Sequence, residues 1–178
     1  MKTFVRIALI SLAALVAGNT AAFAQARGDK KSRPSPNASI SQTIGTTVVS
    51  VTYGRPGLKG RPFESLVPEN KVWRTGANES TAITFSGDVL VGDASISAGT
   101  YSIYSIPKGG KFTIIINSKL SWGTQYDKSQ DVARVTVPLQ DGPSYEWFTI
   151  DFDTLSNSGA HMNLRWANNW AAVPIKVK

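Results

Sequence analysis

Short runs in which apolar and polar residues alternate are the dominant pattern along the chain. Val49, Val51 and Tyr53, for example, share one face of residues 46–53. An alternation with a period of two indicates a β-strand that buries one face. The same pattern, interrupted by turn residues, predicts further strands at 81–85, 89–91, around 96, 100–106, 111–117, 132–137, 145–153, 160–166 and 170–178.

The number and length of these strands indicate the fold class. Roughly eight to ten short strands separated by turn signals, with no long helix, are typical of a sandwich or a barrel. We therefore predict an all-β domain: a single antiparallel β-sandwich of jelly-roll type with one long ordered loop.

One hairpin is predicted in detail from its turn. Residues 108–110 read Lys-Gly-Gly, a hairpin turn signal. Pairing about this turn sets Ile106 opposite Phe112 and Tyr104 opposite Ile114. Both faces of the hairpin are apolar, so we expect it to be central in its sheet and covered on both sides.

A second strand pairing is predicted by matching two apolar faces, which sets Ile150 opposite Met162. This register places Asp151 opposite His161. An Asp beside a His would hold one imidazole tautomer, as acid–base catalysis requires. The alternative is a cross-strand contact on a wet face, which stabilises a sheet by roughly 0.2–1 kcal/mol per pair.

Two long segments, at residues 54–80 and 118–131, break the strand pattern. Loops of such length are uncommon in compact domains and are usually functional or disordered. Aromatic and apolar residues in the first segment argue against disorder, and Pro62 begins a predicted helical turn that would pin it to the sheet. The candidate ligand-binding residues lie in or beside these segments: Tyr53, Arg55, Trp73, Arg74, Asn78, Glu79 and Trp122.

Arg74 and Glu79 carry the strongest chemistry of the first segment. An Arg fork binds carboxylate, phosphate or sugar hydroxyls, and Glu79 could act as a general base or a ligand to a metal. The alternative is structural: the two side chains would pair with each other or cap loop carbonyls, because buried loop backbone must find partners.

The first residues read as a targeting signal. Lys2 and Arg6 precede an apolar run at 7–17, and Ala-Phe-Ala at 22–24 fits a cleavage site. The run is short for a membrane anchor, so we predict a signal peptide at 1–24. A polar lead-in rich in Pro and Ser follows at 25–38, predicted to be flexible, and the β-sandwich domain occupies 39–178. The mature chain is expected to be periplasmic or extracellular, without membrane insertion.

Charge and composition exclude several kinds of site. The chain has 19 Lys+Arg and 12 Asp+Glu, but six of these cations and one acid precede residue 39. The domain therefore holds 13 cations and 11 acids, a net charge of +2 that does not favour nucleic-acid binding. With no Cys and one His, the chain has no thiolate or multi-His metal site, and no phosphate, zinc or calcium motif occurs. No cofactor is expected.

Three motifs together resemble a known family. They are Tyr53-Gly54-Arg55-Pro56, the residues 71–79 (KVWRTGANE) and Ala98-Gly99-Thr100-Tyr101. The chain from about 44 to 177 resembles the domain-of-unknown-function 2911 family of secreted bacterial proteins. The resemblance implies an exported single-domain β-protein and implies no activity.

Three functions remain open on these observations. The leading prediction is a non-catalytic binding module of the cell envelope that recognises a small polar or anionic ligand such as a glycan. A hydrolase-type enzyme that uses Glu79 or the Asp151/His161 pair is the second. A structural envelope protein without a ligand is the third.

Overall fold

A computed structural model describes Arg27 and residues 32–177. The predicted signal peptide and most of the lead-in before residue 32 lie outside the described residues. Among those described, no helix is both long and apolar enough to cross a bilayer.

Strands dominate the described part of the chain. They are β1 (Asn37–Ile44), β2 (Thr47–Gly54), β3 (Thr81–Phe85), β4 (Val89–Val91), β5 (Ala94–Ile96), β6 (Gly99–Lys108), β7 (Lys111–Asn117), β8 (Asp131–Pro138), β9 (Gln140–Asp153) and β10 (Gly159–Val177). A one-turn helix, α1 (Phe63–Leu66), and a 3₁₀ turn at Lys128–Gln130 lie in the two long loops.

Two antiparallel sheets face each other, which confirms the predicted all-β sandwich. The larger sheet has the order β1-β2-β3-β6-β7-β8, and the smaller has the order β5-β4-β10-β9. Isoleucine and valine dominate the buried faces of both sheets, since branched side chains pack well on a pleated surface. The core lies between the sheets and also includes Trp73, Phe148 and Trp166.

The long strand β10 reverses on itself. Its first half pairs with β9 and its last residues pair with β4. The two halves lie side by side, because Val177 N–H donates to the Ser158 carbonyl (3.0 Å) and Arg165 stacks over Trp170, 4.7 Å from the ring centre. Ala167, with φ of 50°, lies where the chain turns, beside the turn predicted at 168–169.

β1 is the strand that sequence patterning missed. Its central residues are mostly Ser, Gln and Thr, so the alternation is weak, and only Ile40 and Ile44 mark a buried face. β1 lies at the edge of the larger sheet and, among the described strands, pairs with β2 alone. It begins at Asn37, so the last two residues assigned to the lead-in belong to the sheet.

The predicted register of the β6–β7 hairpin is wrong by one residue. Ile106 lies opposite Thr113 and Tyr104 opposite Ile115, because the turn contains two residues, Gly109 and Gly110, and not three. Both glycines have positive φ, as a type I′ turn requires. The expectation that both faces are covered is correct, since Ile103 and Tyr104, on opposite faces, are both buried.

The predicted register of β9 and β10 is wrong by two residues. Leu164, not Met162, lies opposite Ile150, and His161 lies opposite Asp153. Apolar residues occupy every second position of each strand, so a two-residue shift keeps the same face buried and the pattern alone cannot detect it. The predicted Asp151/His161 pair is therefore not formed as a cross-strand pair.

Candidate functional site

The first long loop is packed against the core along much of its length. In α1, Phe63 contacts Trp166 edge to face, with 6.0 Å between ring centres. Val67, directly after the helix, is buried. The predicted helical turn is present, and Pro62 is its N-cap. These contacts fix the loop on the sandwich.

Trp73 is part of this packing and is 7% exposed. Its ring stacks on Trp166, with centres 5.7 Å apart and planes 18° apart, and meets Phe148 edge to face. Its backbone forms a two-way bridge with Ser105 in β6. Trp73 therefore lies between the sheets and does not share a cleft with the exposed Trp122.

Tyr53 and Arg55, at and just beyond the end of β2, reach the other sheet. The Tyr53 hydroxyl accepts a hydrogen bond from Ile150 N–H (3.0 Å), and burial raises the pKa of this tyrosine. Arg55 Nε donates to the Phe148 carbonyl (3.0 Å) and its Nη2 to Thr149 Oγ1 (2.7 Å). Both side chains therefore tie the larger sheet to β9.

The remaining candidates lie where the two long loops meet. Thr81 and Asn117 pair with neighbouring positions of β6, so the loop before β3 and the loop after β7 leave the sheet side by side. Glu79 and Trp122 form an antiparallel bridge, and Gly123 N–H donates to the Asn78 carbonyl (3.0 Å). The structure thus brings Arg74, Asn78, Glu79 and Trp122 together, through contacts that pattern analysis could not supply.

Buried serine hydroxyl groups form hydrogen bonds beneath this junction. Ser102 Oγ in β6 lies within hydrogen-bonding distance of Ser80 Oγ (3.0 Å) and of the Lys119 carbonyl in the second loop. Ser80 N–H donates to the Ser121 carbonyl (3.0 Å). A single strand therefore holds both loops, which makes the junction a rigid platform.

Arg74 is the candidate whose charged group is uncommitted. Its methylenes pack on Gly123, where an added Cβ would lie 2.7 Å from Arg74 Cδ. Arg74 as a whole is half-buried, and within the described part of the chain its guanidinium has no hydrogen-bond or ion-pair partner. Trp122, the residue before Gly123, lies on the same platform and is 47% exposed. A cation and an open aromatic ring therefore sit on one fixed surface.

Glu79 does not pair with Arg74, in contrast to the structural alternative considered from the sequence. Its carboxylate accepts two hydrogen bonds from Arg33, from Nη1 to Oε2 (2.7 Å) and from Nη2 to Oε1 (3.0 Å). Arg27 Nη1 lies 3.7 Å from Glu79 Oε2. Arg27 also donates from Nη2 to the carbonyls of Thr52 (3.1 Å) and Ser80 (2.7 Å). The cations of the lead-in are thus the site residues that sequence reasoning missed.

The polar groups of β9 and β10 form a separate network on the outer face of the smaller sheet. Asp151 accepts from Asn163 Nδ2 (2.8 Å) and Arg165 Nε (2.7 Å), so each of its carboxylate oxygens has a donor. His161 Nδ1 lies 4.0 Å from Asp153 Oδ1. The predicted acid–base pair of Asp151 and His161 is therefore not formed. Asp151 accepts hydrogen bonds from Asn163 and Arg165, and His161 faces Asp153.

The fold and the loop junction define a class of protein: an all-β sandwich that presents a charged and aromatic platform built from its two longest loops. The chain belongs to the family described as a protein of unknown function (DUF2911), whose model matches residues 35–175. This confirms the resemblance that the three motifs indicated. No curated protein and no solved structure matches the chain.

Proposed function

We propose that the domain is a non-catalytic binding module that takes a small anionic ligand, such as an acidic sugar, on the platform of Arg74 and Trp122. The observation that carries this proposal is the guanidinium of Arg74. The residue is half-buried on the loop junction and, within the described residues, its guanidinium is unpaired. A fixed guanidinium binds carboxylate or phosphate through two parallel hydrogen bonds and loses little entropy in doing so.

Trp122 adds a second kind of recognition to the platform. An exposed indole offers a flat apolar face beside a cation, which suits a ring that carries an acidic group. Glu79 does not compete for Arg74, because its carboxylate is held by Arg33. The ligand's own charge would therefore be the partner of Arg74.

Other residues of the same motifs support the alternative that the motifs stabilise the fold. Tyr53, Arg55 and Trp73 all make contacts that hold the two sheets together. We therefore assign a stabilising role to these three residues and a ligand-binding role to Arg74 and Trp122. An envelope location follows from the predicted signal peptide, so we infer that the ligand is met in the periplasm or outside the cell.

A titration of the mature chain tests the proposal. Glucuronate, N-acetylmuramate, succinate and phosphate serve as probes, and glucose serves as the neutral control. Binding measured by calorimetry should be at least about tenfold weaker in Arg74→Ala, since a hydrogen bond to a charged group contributes about 1.5–3 kcal/mol. Trp122→Ala should weaken only the ring-bearing probes.

Arg61→Ala is the matched control, because Arg61 lies in the same loop and, within the described residues, donates only to the nearby carbonyls of Leu58 and Gly57. It should leave binding unchanged. If the wild-type chain binds none of the four anions, or if Arg74→Ala binds them as well as the wild type, the platform is not an anion site.

A further inference from the structure

Residues 33–36, with the sequence Arg-Pro-Ser-Pro, lie along the first long loop as a bound peptide would. The Arg33 guanidinium makes its two hydrogen bonds to Glu79. The Ser35 carbonyl accepts from Asn78 Nδ2 (3.0 Å), and the Pro36 carbonyl accepts from Arg55 N–H (2.8 Å). Every one of these contacts joins the segment to the loop or to the end of β2.

The chemistry of the segment matches the chemistry of the surface that holds it. Proline lacks an N–H and fixes φ, so an Arg-Pro-Ser-Pro segment stays extended and presents carbonyls. The surface offers donors to these carbonyls: the side chain of Asn78, the backbone of Arg55 and, at 3.4 Å from the Pro34 carbonyl, Lys59 Nζ. It offers one acceptor pair, the carboxylate of Glu79.

The geometry at Glu79 selects a guanidinium. Each carboxylate oxygen receives one hydrogen bond from a different Arg33 nitrogen, which is the parallel arrangement that an ammonium group cannot make. The Glu79 side chain is only 12% exposed and that of Arg33 is 20% exposed, so water competes weakly. Asn78 has φ of 66°, in the left-handed region that asparagine adopts more readily than other residues apart from glycine.

We propose that Glu79, Asn78, Arg55 and Lys59 form a docking site for an extended, proline-containing peptide with an arginine, and that the chain's own residues 33–36 fill it. A segment of the same chemistry from another polypeptide fits the same contacts once residues 33–36 leave. The segment runs directly into β1, which begins at Asn37, so it is held beside these contacts and the site is closed at rest.

This site is distinct from the platform of Arg74 and Trp122. It uses the carboxylate of Glu79 as its anchor and takes a cation, whereas the platform takes an anion. Failure of the anion titration would therefore leave this inference untouched.

A binding experiment on the full chain tests the inference. The variant Arg33→Ala removes the anchor of the tethered segment, and Arg33→Ala/Pro34→Gly/Pro36→Gly also removes its preference for an extended shape. A fluorescein-labelled Ser-Arg-Pro-Ser-Pro peptide, amidated at its carboxyl end, is titrated against each by fluorescence anisotropy. Both variants should bind it at least about tenfold more tightly than the wild type.

Two controls make the result specific. Adding Glu79→Gln to Arg33→Ala should abolish binding, and a peptide with lysine in place of arginine should bind at least about tenfold more weakly. Thermal unfolding of each variant verifies that it is folded. The inference is overturned if neither opened variant binds although both are folded, or if Glu79→Gln or the lysine peptide makes no difference.

Discussion

Residues of the same type in similar sequence positions have different roles in this protein. Trp73 and Trp122 are both tryptophans of long loops, and either could be a ligand platform or a plug over the core. The structure separates them by burial and by neighbours: Trp73 stacks on Trp166 between the sheets, whereas Trp122 is about half exposed in the second long loop. Their substitutions should therefore have unequal effects on stability.

Trp73→Phe should lower the free energy of unfolding by about 1–3 kcal/mol. It replaces a buried indole by the smaller phenyl ring and leaves a cavity that the packed sheets cannot fill. Trp122→Phe should change the same free energy by less than about 0.5 kcal/mol, as surface substitutions usually do. Urea unfolding followed by circular dichroism measures both. Equal losses of unfolding free energy in the two variants would contradict the assignment of Trp73 to the core and Trp122 to the surface.

The candidate site could be predicted from sequence only as a list of chemically capable residues. The list contained Arg74, Asn78, Glu79 and Trp122, which the loop junction does bring together. It also contained Tyr53, Arg55 and Trp73, whose partners lie on the other sheet. Which partner an arginine or a tyrosine meets depends on the packing of distant elements, and no local pattern encodes that.

At the scale of elements, the strands other than β1 are predicted well because each carries its own alternation, whereas the two registers are not. The β6–β7 hairpin shows why. A turn of two residues or of three fits Lys-Gly-Gly equally well, but the choice moves every partner by one position. The positive φ of Gly109 and Gly110 identifies the shorter turn.

Gly109 provides a direct test of that turn. Its φ is 55°, and an added Cβ would meet no atom within 4 Å, so any effect of substitution is conformational. Gly109→Val should lower the free energy of unfolding by about 1–2 kcal/mol, since a branched residue resists positive φ. Gly109→Asn should lose clearly less, because asparagine tolerates this region. Thermal unfolding that ranks the two variants equally would argue against the two-residue turn.

The second long loop is held by a different device, a hydrogen-bonded cluster in which Tyr126 is central. The Tyr126 hydroxyl donates to Asp131 Oδ2 (2.8 Å) and accepts from Arg134 Nη2 (2.7 Å). Burial, followed by the hydrogen bond and charge of Asp131, raises the pKa of Tyr126 to about 12. The unfolded chain releases this proton near pH 10, so the folded state holds it over a window of about two pH units.

Stability should therefore fall as the pH rises from about 10 to about 12, because the unfolded state binds fewer protons than the folded state. Tyr126→Phe cannot release a proton and should lose less stability over this range. Tyr53 and Tyr104, whose pKa burial also raises, are present in both proteins, so the difference between the two curves isolates Tyr126. Urea unfolding at several alkaline pH values measures it, and parallel curves would contradict the assignment.

For the whole molecule, the question is which contacts couple the two sheets. The loop passes between the sheets at Trp73, and Arg55 bridges them directly. Tyr53 and Arg55, which belong to one of the motifs that carried the resemblance, reach β9 and so help to join the two layers. Such cross-layer contacts couple the sheets and favour a single cooperative transition.

Arg55→Gln tests this coupling. It removes the forked hydrogen bonds to Phe148 O and Thr149 Oγ1, and leaves a half-buried carbonyl without its charged donor. We expect the free energy of unfolding to fall by about 1–3 kcal/mol and the amide hydrogens of β9 to exchange faster with solvent. Arg61→Gln is the matched control, because its bonds to Leu58 O and Gly57 O stay within one loop and should contribute less than about 1 kcal/mol. If both variants lose the same stability and β9 exchange is unchanged, Arg55 braces only its own loop and the sheets are joined by the apolar core alone.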